Sequence, residues 1–209
     1  MILTTEITGL AGLQSPAADG SQIRPSLSRR GELIASPRFA EAALRGKCFA
    51  VANQAGITSQ AGLSATTPAL TLYNPLGSGV NGFLHFAGVN FSVAFAALAE
   101  VWLAVGTVPQ AAAVTGTLTT AHRNLKLGGA EPSLRPMLAA TLPAAPVGIM
   151  LLGVGLTGAI TTTPGMQTFA RWLHGALVIT PGTNVSIQTS TASGTIGTWC
   201  EFLWEEEDE

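Results

Sequence analysis

Residues 169–206 read FARWLHGALVITPGTNVSIQTSTASGTIGTWCEFLWEE, and this stretch decides the fold. Val185, Ile187 and Thr189 alternate with Asn184, Ser186 and Gln188, the period-two pattern of a half-buried antiparallel strand. Thr180-Pro181-Gly182-Thr183 just before it is a turn. Proline presets φ at its second position, and glycine supplies the positive φ that a type II turn needs at its third. Phe169 to Ile179 precedes the turn as another strand. Beyond the break at Ser193-Gly194, residues Ile196, Thr198, Cys200, Phe202 and Trp204 line one face of a last strand.

Working outward, the same signals recur. Cys48–Asn53 opens a core as a buried strand, and a Gly- and Ser-rich loop over 54–68 leads to a second strand at Ala69–Tyr73. Asn74-Pro75 and Gly77-Ser78-Gly79 form a turn cluster. Phe83 to Phe95 is a long apolar strand with Phe83, Val89, Phe91, Val93 and Phe95 expected on one face. Glu100–Val108 reads as strand, although the alanines around it also favour helix. Val114–Thr120, Leu134–Leu142 and Val147–Leu156 are further strands, and His122–Glu131 is the polar loop expected to be most exposed. Eight or nine strands with Gly/Pro punctuation predict an all-β antiparallel sandwich or jelly roll. At most one short helix is expected, at Arg38–Arg45, with Phe39, Ala42 and Ala43 on one face and Gly46 as its stop. The expected organisation is an N-terminal arm over 1–46, extended before that helix, with Gly31–Pro37 a short strand; a β body over 47–204; and an acidic tail over 205–209.

Charge is scarce and segregated. Only 11% of the 209 residues are charged, against roughly 25% in ordinary soluble domains. Between Cys48 and Cys200 there are six charges in 153 residues: Glu100, Arg123, Lys126, Glu131, Arg135 and Arg171. Residues 20–47 carry six basic and two acidic side chains, and residues 201–209 carry six acidic and no basic ones. A body this poor in charge predicts either a membrane protein or a subunit whose faces are covered by other copies. The most apolar run, Val147–Ile160, spans 14 residues, short of the roughly 20 that a spanning helix needs. Phe83–Gly106 is longer but holds His85, Asn90 and Glu100. No membrane span is expected, nor a secretory leader in Met1–Glu6. The arm arginines Arg24, Arg29, Arg30 and Arg38 are the candidate partner-binding residues. A net charge of +4 over residues 20–47 with few aromatics suits an acidic protein surface, including the acidic tail of another subunit, better than nucleic acid.

The sequence offers little to catalysis. No two of the three histidines, His85, His122 and His174, have metal-ligand spacing. His85 and His174 are expected as hydrogen-bonded interior or interface residues, and His122 in a solvated turn. Glu100 and Glu131 are the body's available carboxylates, too few for a two-carboxylate site. Cys48 and Cys200 read as core thiols; no catalytic residue, cofactor or metal is expected.

The phrases GELIAS…RFAEAALRGKCFAVANQAGITSQAGLSATTPALTLYNPLGSGVN and LVITPGTNVSIQTSTASGTIGTWCEFLWEE resemble structural proteins of tailed-bacteriophage virions, the second being similar to their closing hairpin. The resemblance covers about residues 30–206 and implies a β-sandwich subunit, commonly homotrimeric, without catalytic residues. It implies a capsid decoration (cement) protein, assembled in the host cytoplasm into the virion, whose partners are its own copies and the major capsid protein or another virion protein. The alternative it implies is a tail-fibre or baseplate component that binds a host glycan. Trp172, Trp199 and Trp204 are the aromatics available for that, although their strand positions favour core packing.

Overall fold

The turn at Thr180–Thr183 forms as its residues dictate: Thr183 N–H donates to Thr180 O at 3.0 Å, and Gly182 takes φ +85°. In a computed structural model, residues 38–92, 95, 97–106, 114–155, 167–192 and 197–209 are described. The expected arm before Arg38, with its Gly31–Pro37 strand, lies outside those residues, as do Val93 and Ile196.

Among the described residues one helix, α1 (Arg38–Leu44), precedes the sheets. It stops at Gly46, whose φ of +75° lets its N–H reach Ala43 O while Lys47 N–H reaches Ala42 O. Among the described residues the strands are then β1 (Cys48–Ala52), β2 (Leu70–Tyr73), β3 (Val80–Phe91), β4 (Ala99–Gly106), β5 (Thr115–Leu118), β6 (Arg123–Asn124), β7 (Arg135–Thr141), β8 (Val147–Gly155), β9 (Gln167–Ile179), β10 (Asn184–Thr189) and β11 (Thr198–Asp208). No helix among the described residues is long and apolar enough to cross a membrane.

The strands form two antiparallel sheets, ordered β6-β1-β11-β3-β9 and β5-β7-β2-β10-β4-β8. The order has a simple origin. Strands β1 to β4 form one arm of a long hairpin and β8 to β11 the other, pairing β4 with β8, β3 with β9, β2 with β10 and β1 with β11. Successive pairs alternate between the two sheets, so the ribbon is rolled up. That is the wrapping of a jelly roll. The insertion β5–β7 at the hairpin's tip folds back to extend both sheets, β6 onto β1 and β7 onto β2.

The core lies between the sheets. Leu84, Val89, Phe91, Phe202 and Trp204 of the five-stranded sheet pack with Leu70, Leu72, Leu103, Val185 and Ile187 of the six-stranded one. Trp204 stacks on Phe49 with centroids 5.7 Å apart.

Three expectations change. First, β10 is buried on both faces rather than half-buried. The loop over 54–68 covers its polar side, where Gln188 Nε2 donates to Ser64 O at 3.2 Å, and also reaches the strand's end on the other side, where Ser59 and Thr189 share a 2.7 Å hydrogen bond. Second, Phe83 does not share a face with Val89 and Phe91. The register against β9 shifts between Leu84 and Phe86, so Leu84 and Ala87 both face the core and Phe83 and Phe86 turn outward. Third, the last three strands are not a local hairpin. Each pairs with its counterpart from the first arm, and β10 lies in the other sheet.

Candidate functional site

Two features stand out on the outer face of the five-stranded sheet: an acid-rich strand end under α1, and an open groove beside it.

The run Glu205–Asp208 is strand rather than tail. Glu205 is 1% exposed, and its Oε2 lies 3.1 Å from His85 Nε2. Phe39 of α1 meets the His85 ring edge-on, centroids 5.1 Å apart. Glu206 points into the sandwich, 3% exposed, and accepts three hydrogen bonds: Ser133 N–H at 2.9 Å, Leu134 N–H at 2.9 Å and Trp204 Nε1–H at 3.0 Å. A buried carboxylate survives only with donors of this kind. Glu207 pairs with Arg45 at 3.5 Å, and Asp208 with Lys47 at 2.9 Å. The acidic run therefore meets basic residues of its own chain, where another subunit's were expected.

These environments separate the two outer acids. Burial, then the hydrogen bond to Glu205, pushes the Glu207 carboxyl above the usual glutamate range against the pull of Arg45 and Lys47. The Lys47 hydrogen bond and charge hold Asp208 below the usual aspartate range.

Next to α1 no described residue covers the sheet. Cross-strand register sets Arg123, Ala50, Leu203, Phe86 and Trp172 in one row over β6, β1, β11, β3 and β9. The neighbouring row holds Ala52, Glu201 and Gly88. Apart from Gly88, these residues and Gln54 line an open groove of about 440 Å³. A Cβ on Gly88 would fall 2.5 Å from Glu201 Oε1 and 2.9 Å from Phe86, so glycine lets the Glu201 side chain lie flat across β3. Phe86 and Trp172 pack with centroids 4.9 Å apart, and His174 stacks on Trp172 at 5.9 Å and 18°. A bulge in β9 makes that stack. His174 (φ +53°) and Gly175 (φ +80°) take left-handed backbone opposite His85. Arg123 closes the far end, fixed by its Nη1, which donates to Thr120 O at 2.8 Å and His122 O at 2.6 Å.

The expected site residues are not brought together. Arg24, Arg29 and Arg30 lie outside the described residues. Arg38 opens α1, and its side chain is likewise outside them. His85 is the interior histidine expected; His174 is exposed at the bulge instead. His122 is tied down rather than solvated, its Nδ1 2.7 Å from Thr119 O and its Nε2 2.5 Å from Glu131 Oε2. Of the tryptophans, Trp204 is core, while Trp172 and Trp199 are 56% and 38% exposed, against the packing expected of them. Cys48 and Cys200 are buried thiols, and burial, with Glu201 adding, pushes the Cys200 thiol up. Among the described residues no group of three or more His, Cys, Asp or Glu side chains could hold a metal ion.

The buried Glu206 and the groove row were missed by sequence reasoning. Two of the glutamate's three donors lie about 70 residues away in sequence, and the row depends on long-range register. No protein-family model, curated protein or solved structure matches the chain.

Proposed function

We propose that the chain is a non-enzymatic structural protein of a tailed-phage virion, a capsid decoration protein that works as a homotrimer. It binds the assembled head and stabilises it by bridging major capsid subunits. The observation that carries the reading is the body's charge poverty, six charges in 153 residues, on a β-sandwich with basic residues before it and acidic residues after. Exposed Val147, Ile149 and Leu151 on the edge strand β8 add to it, since contiguous apolar surface of this kind marks interaction sites. A subunit that binds only the assembled lattice stabilises that lattice by its binding free energy. Arg24, Arg29, Arg30 and Arg38 are the residues proposed to pair with carboxylates of the shell. Deleting residues 1–30 is expected to leave a folded trimer that no longer co-sediments with capsids. Undiminished binding would remove the arm from the account.

A second reading, a tail-fibre or baseplate component binding a host glycan, is favoured by the exposure of Trp172 and Trp199. Aromatic faces of this kind stack on sugars. The number of copies per particle separates the two.

A further inference from the structure

We infer that the groove on the outer face of the five-stranded sheet is a saccharide-binding site. One sugar ring stacks on Trp172 beside Phe86, and hydroxyls further along the chain of sugars meet Glu201 and Arg123. This site rests on the glycan-binding reading and is independent of the capsid one. Three observations carry it.

The first is a braced aromatic end. Trp172 is more than half exposed, and Phe86 and His174 hold its ring from centroids 4.9 and 5.9 Å away. An indole already held by its neighbours loses little freedom when a ligand stacks on it. Its flat apolar surface matches the C–H face of a pyranose ring.

The second is a polar centre awaiting donors. Gly88 lets the Glu201 side chain lie across β3, and among the described residues no donor reaches its carboxylate. An occupant apolar throughout, such as an acyl chain or the apolar face of another subunit, would take water from that carboxylate and return nothing. A saccharide covers it with hydroxyl donors. At the far end Arg123 is fixed through Nη1 by Thr120 O and His122 O. The other N–H groups of its guanidinium have no partner among the described residues, and sugar oxygens accept from them.

The third is shape. Strands β1, β11 and β3 have their backbones paired on both sides, so an added peptide strand finds no ladder to extend here. From Trp172 on β9 to Arg123 on β6 the row crosses the whole sheet, about 19 Å at the usual strand spacing. That is longer than one sugar ring and suits a short oligosaccharide. The volume of about 440 Å³ falls within the roughly 300–1,000 Å³ of ordinary small-molecule sites.

The test titrates the full chain with tri- and tetrasaccharides built from hexose, N-acetylhexosamine and hexuronate units, following binding by ligand-observed NMR. At least one of these probes is expected to bind. Trp172→Ala and, independently, Glu201→Gln are expected to weaken that binding by about tenfold or more, while Trp199→Ala leaves it within about twofold. Glu201→Gln keeps the side chain's shape, so it reads the site even if Trp172→Ala disturbs the fold. Undiminished binding in either groove variant, or an equal loss in Trp199→Ala, would overturn the groove assignment and leave the glycan reading standing. No binding of any probe to the unaltered chain would overturn both.

Discussion

Glu206 and Glu207 are adjacent, yet one anchors the core and the other faces α1. Glu206 holds three N–H donors at once, two of them from the backbone leading into β7. Glu206→Gln exchanges an acceptor oxygen for an amide that meets N–H groups head-on. The expected cost is about 2 kcal/mol, read as a lower urea midpoint with an unchanged slope. Glu207 supplies a pH signature. Its folded pKa is raised from 4.5, so proton binding favours the folded state. That stability is full below 4.5 and is lost as pH rises through the raised value. Asp208 works in the opposite sense, its contribution present above 3.8 and lost as pH falls through its depressed folded value. The two windows do not overlap. Glu207→Gln is therefore expected to flatten the fall in stability on the alkaline side of 4.5 and to leave the loss below 3.8 in place. Denaturation midpoints across pH check this. An unchanged profile above 4.5 would show that Glu207 is not held as described.

At the scale of elements, strands with period-two patterns or turn residues at their ends were legible, and their partners were not. The Pro181-Gly182 turn and the Gly46 stop follow from backbone preference alone. Outward placement of Phe83 and exposure of His174 both follow from one bulge between β3 and β9. Such a bulge arises from long-range pairing and leaves no periodic trace. The polar alternation in β10 suggested solvent, but Ser64 of the covering loop and Ser186 satisfy Gln188. The acidic run read as a tail because its partners His85, Ser133 and Leu134 are distant in sequence. Core packing gives one further expectation: Trp204→Ala, which removes the Phe49 stack and a donor to Glu206, costs about 3–5 kcal/mol. Edge strand β8 gives another. It carries no charge or proline to discourage pairing, and Ile149 is exposed on it. Ile149→Lys is expected to change monomer stability by less than about 0.5 kcal/mol while weakening the proposed trimer in sedimentation. Unaltered self-association would move the subunit contact elsewhere.

For the whole molecule, the rolled hairpin explains why the closing stretch and the opening strand depend on one another. Strand β1 lies against β11 from Cys48–Glu205 to Ala52–Glu201, so Arg45 and Lys47, just before β1, meet the acidic end of β11. Arg45 and Lys47 answer Glu207 and Asp208 there, through exposed pairs that contribute little to stability. Under the proposed function, the arginines before α1 pair with another surface and the nearly uncharged body offers its faces to other copies. The central claim is that this surface belongs on a capsid lattice. Counting the protein in purified particles by quantitative mass spectrometry tests it most directly. The account predicts on the order of hundreds of copies in fixed ratio to the major capsid protein, as lattice symmetry requires. A count of a few dozen or fewer contradicts it.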